Sequence, residues 1–98
     1  MQNISDWQQK LKKAVDRKYP NSGWGEVERV RSIQEQLDDV RAALEVAHGT
    51  RQSDDHAHQD PDHRIAALIA DILILAEERK ANVEAELEKV LAWFESDN

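Results

Sequence analysis

Apolar residues return at intervals of three and four along most of this chain, a period that predicts helices and not strands. Trp7, Leu11, Ala14 and Val15 trace a narrow stripe through a first helix predicted over residues 6–18. Ser5 and Gln8 have the spacing of a capping box at its start. Tyr19, Pro20 and Gly23 break the pattern, because the residue before a proline is pushed out of helical geometry. From about 25 to 48 no Pro or internal Gly intervenes, and Val27, Val30, Ile33, Leu37, Val40, Leu44 and Ala47 mark the predicted buried stripe of a long second helix. Residues 49–60 hold no large apolar side chain and predict a mobile connection. Asp60 before Pro61 supplies an N-cap and a first helical residue for a third helix over about 61–79. Between Ile65 and Ala76 every residue except Asp71 is Ala, Leu or Ile, so this helix is expected at the centre. Asn82 caps a fourth predicted helix, striped by Val83, Leu87, Val90, Leu91 and Phe94 and ending near 96. A strand at 72–75 would have no second strand to pair with. The predicted fold is all-α, an antiparallel four-helix bundle forming one domain over residues 1–98.

Composition narrows this picture. A chain of 98 residues supports one core, and without cysteine it has neither disulfides nor thiolate metal ligands, which fits a reducing, cytoplasmic setting. A net charge of -7 repels phosphate backbones and anionic lipid alike, so neither nucleic acid nor membrane is an expected partner. Residues 1–13 show no signal-peptide-like run, and no stretch approaches the roughly 20 apolar residues that span a bilayer. A bundle this small buries only about 60–65 % of its unfolded surface. With a third helix apolar on all sides, a homodimer or homotetramer is expected to complete the core.

Candidate chemistry centres on Asp71. An ionised carboxylate in an apolar helix must be protonated, ion-paired or metal-bound, and Arg41, a Ser or a Trp donor, or a cation are the available partners. On the second helix Glu35 stands three residues before Asp38 and four before Asp39, so either pair can share a divalent cation from one helix face. The periodicity places Asp38 beside the apolar stripe as the inward acid, and Gln34, Arg41 and His48 interrupt that stripe every seven residues as a prospective polar pocket. Glu78, seven residues after Asp71, is a further candidate acid. In the 49–60 connection His56 and His58, with Asp54, Asp55, Asp60, Asp62 and His63 around them, have ligand types suited to zinc or nickel.

Two segments, Ile33-Gln34-Glu35-Gln36-Leu37-Asp38-Asp39-Val40 and Leu68-Ile69-Ala70-Asp71-Ile72-Leu73-Ile74-Leu75, resemble the paired acidic motifs of the all-α MazG-like nucleoside triphosphate pyrophosphohydrolases. The closing segment Asn82 to Leu91 is similar to that family's last helix, and the resemblance runs from about Trp24 to Phe94. Gln36 and Leu68 stand where the family usually has acids. The resemblance implies hydrolysis of a nucleoside triphosphate to its monophosphate and pyrophosphate with Mg²⁺ or Mn²⁺. It implies metal ligands among Glu35, Asp38, Asp39, Asp71 and Glu78, with Glu35 or Asp38 orienting the attacking water. Lys89 is the implied phosphate contact, and Trp24 or Trp93 the implied stacking surface for the base. The alternative reading is a bundle of the same fold that binds nucleotides or proteins without catalysis.

Overall fold

The computed structural model describes residues 3–96. Four α-helices follow one another, α1 (Ile4–Lys18), α2 (Glu26–Ala47), α3 (Pro61–Glu78) and α4 (Val83–Phe94), with a 3₁₀ turn at His56–His58 before α3. No strand occurs among the described residues, and none of their helices is long and apolar enough to cross a membrane.

Local chemistry sets the ends. The α1 capping box is built by Asn3 and Asp6, not by Ser5 and Gln8: the Asn3 side chain accepts the Asp6 N–H at 2.9 Å and the Asp6 carboxylate accepts the Asn3 N–H at 3.3 Å. Asn and Asp satisfy the same orphan donors two residues earlier, which leaves Gln8 free to turn inward. At α2 the Glu28 carboxylate accepts the Gly25 N–H at 2.9 Å. Gly49, at φ +79°, ends α2 in a Schellman motif, with its N–H on the Val46 carbonyl and that of Thr50 on the Glu45 carbonyl. Lys80, at φ +57°, closes α3 in the same way through the Glu77 and Ala76 carbonyls, with a side chain where glycine is usual. Asp60 does precede α3, but its side chain makes no capping bond, and only its carbonyl receives the Arg64 N–H. Asn82 caps α4 as predicted, accepting the Ala85 N–H at 3.0 Å.

Packing departs further from the periodicity. α3 lies against both α1 and α2, whereas α4 packs chiefly along α1 and buries none of its residues. The buried side of α2 is Arg29, Val40, Ala42 and Ala43, while Val27 is 71 % and Leu37 50 % exposed, so the predicted apolar stripe faces outward over much of its length. One cause is that Arg29 is held by the carboxylate of α3, which turns its side of α2 inward. Gln34, Arg41 and His48 are accordingly exposed and form no internal polar pocket. α3 is less central than expected, since Ile65, Ile69 and Ile72 are exposed on one side. In the connection expected to be mobile, the 3₁₀ turn rests against α2, with the Ser53 hydroxyl 2.7 Å from His58 Nδ1 and Gln59 donating to the Ser53 carbonyl.

Candidate functional site

Asp71 enters the site from α3 with both oxygens engaged. Arg29 Nη1 donates to Oδ1 at 3.0 Å and Ser32 Oγ donates to Oδ2 at 2.6 Å, and the Arg29 and Asp71 side chains are each only 8 % exposed. Arg29 and Ser32 stand three residues apart on α2, one turn of one face, which is why a single carboxylate reaches both. The guanidinium is held from two further directions. Its Nε lies 3.4 Å from Glu78, one side of the same α3 two turns later, and its plane covers the Trp24 ring at 5.0 Å from the centroid. Glu78 also faces Lys12 of α1 at 3.6 Å, and Lys12 bonds Asp16 at 2.8 Å. The Lys12 ammonium is raised above its ordinary pKa by the hydrogen bond to Asp16 and the attraction of both acids, against the opposing cost of burial. A continuous relay of opposite charges, Asp71, Arg29, Glu78, Lys12 and Asp16, therefore ties α3, α2 and α1 together. Gln8 adds a neutral tie, donating to the Ala81 carbonyl at 3.0 Å.

Beside this relay the three helices line a half-open cavity of about 530 Å³. That is within the size range of pockets for small molecules and cofactors. Val15, Ala67, Ala70 and Ile74 form its apolar lining, and Tyr19 and Trp24 its aromatic walls. Its polar groups are Asp16, Ser22, Arg29, Ser32, Gln36 and Asp71. Arg29, Ser32 and Asp71 are partnered with one another, Asp16 with Lys12, and Ser22 with the Trp24 N–H. Gln36 is not: its Oε1 is buried without a hydrogen-bond partner. A buried acceptor left unmatched costs about 1–3 kcal/mol, which a ligand N–H donor would recover.

The acids expected to share a cation are dispersed. Glu35 and Asp38 are exposed and Asp39 half-buried, so Asp38 is not the inward acid that the periodicity placed there. The face of α2 turned to Asp71 carries Ser32 and Gln36 in place of carboxylates. Asp71 is compensated by Arg29 and not by Arg41, which is exposed. Glu78 is half-buried but serves Arg29 and Lys12. Among the described residues no group of three or more His, Asp or Glu is placed to hold a metal ion. The donor set around Asp71 therefore does not fit Mg²⁺ or Mn²⁺: a guanidinium stands where the cation would, and the other helix offers a hydroxyl and an amide. The His56 and His58 pair shares this result, with His58 bonded to Ser53 and His56 exposed.

Of the expected ligand contacts, Trp24 alone lines the cavity. Lys89 is exposed on α4 and pairs with Glu86 at 3.2 Å, and Trp93 is 71 % exposed in an edge contact with Phe94. The residues that build the site and escaped the periodicity are Arg29, Ser32 and Gln36. Their steps of three and four do repeat like a helix face, but a polar one, visible once Asp71 is taken as needing a cation from the neighbouring helix. No protein-family model, curated protein or solved structure matches the chain.

Proposed function

We propose that this chain is a small-molecule-binding helical module of MazG-like type, which takes a nucleotide into the cavity between α1, α2 and α3 and does not hydrolyse it. The observation that carries this reading is the engagement of both Asp71 oxygens by Arg29 and Ser32 in the wall of that cavity. An acid so matched is a positioning group for Arg29, whereas the hydrolytic reading requires it to exchange a guanidinium for Mg²⁺ and leave that buried cation to the longer contact with Glu78 alone. The Tyr19 and Trp24 walls suit a planar base, and Gln36 Oε1 suits one of its amino or imide N–H groups. The nucleotide class itself rests on the resemblance of residues 33–40 and 68–75 to the family motifs, as does a place in the cytoplasmic nucleotide pool.

Titration calorimetry with a panel of nucleoside mono- and triphosphates, with and without Mg²⁺, tests this alongside an assay for released pyrophosphate. Saturable binding without Mg²⁺ and no pyrophosphate is the expected result, with affinity about tenfold weaker in Gln36→Ala, the loss of roughly one hydrogen bond. Failure of every nucleotide to bind removes the proposed ligand class. Pyrophosphate release that requires Mg²⁺ and disappears in Asp71→Asn and Glu35→Gln replaces binding with hydrolysis.

A further inference from the structure

We infer, resting on the reading of the cavity as a nucleotide site, that it recognises the base alone, one bearing an exocyclic amino group, and leaves the phosphates in solvent. Among the described residues that line the cavity, Arg29 is the one cation. Its charge is already committed, with Nη1 3.0 Å from Asp71 and Nε 3.4 Å from Glu78. Lys12, the next cation along the relay, is held in the same way between Asp16 and Glu78. The relay from Asp71 to Asp16 thus contains three acids and two bases, which leaves one negative charge over. A phosphate entering this wall would meet no uncommitted cation and two carboxylates, those of Asp71 and Asp16. An anion left unmatched in that place is driven back to water. Because the cavity is half-open, a ligand seated by its base can keep its phosphates outside.

The hydrogen-bonding groups of the wall select the base. Ser32 gives its proton to Asp71 at 2.6 Å and has only lone pairs left to offer. One turn further along α2, Gln36 lines the cavity with its Oε1 buried and unpartnered. The Asp71 carboxylate itself can only accept. The side of the cavity built by α2 and α3 is therefore rich in acceptors, and a ligand satisfies it by presenting N–H groups. An exocyclic amino group, as on cytosine or adenine, brings two. The carbonyl that takes its place in uracil or hypoxanthine sets lone pairs against lone pairs and leaves acceptors unmatched on both molecules. Elsewhere in the lining, the Tyr19 hydroxyl and that of Ser22, whose Oγ accepts the Trp24 N–H, are neutral donors suited to a sugar.

Titration calorimetry of the full chain tests this with two matched pairs, cytidine against uridine and adenosine against inosine, and with the mono- and triphosphates of each. In the pair that binds, the amino member should be about tenfold tighter than its oxo counterpart. Its triphosphate should lie within about threefold of the bare nucleoside, with or without Mg²⁺. Gln36→Leu should shrink the preference within the pair to about twofold or less. If that variant fails to fold, the wild-type series decides. Tightening of about tenfold or more by the triphosphate, or equal affinity within both pairs, overturns the inference and leaves the cavity a nucleotide site. Absence of binding by every nucleoside and nucleotide overturns both.

Discussion

A carboxylate among aliphatic side chains is stable only with its charge matched, and Asp71 has a guanidinium at 3.0 Å and a hydroxyl at 2.6 Å. Removing either member of the pair strands the other in a poorly solvated place. Arg29→Ala and Asp71→Ala are each expected to lower unfolding free energy by about 3 kcal/mol, read from urea denaturation. The double change Arg29→Met with Asp71→Leu should recover most of that loss, because no buried charge is left alone. Single losses below about 1 kcal/mol would mean that water reaches the pair. The need for a partner at Asp71 was legible in the sequence, since no other polar residue interrupts the run from Ile65 to Ala76. The partner's identity was not. Arg41 and Arg29 are separated by several turns of α2, and choosing between them needs the relative sliding of two helices, which no one-dimensional pattern contains.

At the level of the element, ends were easier to read than faces. Pro20, Pro61 and Asn82 punctuate the chain through local backbone chemistry, and the helices begin or stop close to where those residues dictate. The face of α2 was misread because periodicity reports which residues share a side, not whether that side meets this chain or another one. Termination also predicts two opposite responses. Lys80 occupies a left-handed position at φ +57°, so Lys80→Gly should raise stability by about 0.5–1 kcal/mol. Gly49, at φ +79° with open space around its Cα, should lose about 1 kcal/mol as Gly49→Ala from backbone strain alone. Thermal unfolding resolves both, each kcal/mol moving the midpoint by roughly 4–8 °C at this size. The start of α2 carries a pH response. Glu28 is held below its ordinary value of 4.5 by hydrogen bonds from backbone N–H groups, its own and that of Gly25. A depressed carboxylate contributes its stability above pH 4.5 and loses it as pH falls through the folded value. Glu28→Gln should therefore be modestly less stable than the wild type at neutral pH and converge with it as pH falls through the folded value, flattening the acid limb of the stability profile.

For the molecule as a whole, the order of helices was predictable and their assembly was not. The periodicity supports four helices, and the described residues form four, but α4 buries none of its residues and α3 leaves Ile65, Ile69 and Ile72 uncovered. A single chain of this length has too little mass to cover every apolar stripe it displays. The contact between Arg29 and Trp24 has one more use. The indole lies against an ion that touches Asp71 and Glu78 in turn. With Trp7 and Trp93 changed to phenylalanine, light emitted from that remaining ring becomes a built-in gauge, shifting in colour whenever its guanidinium neighbour is displaced.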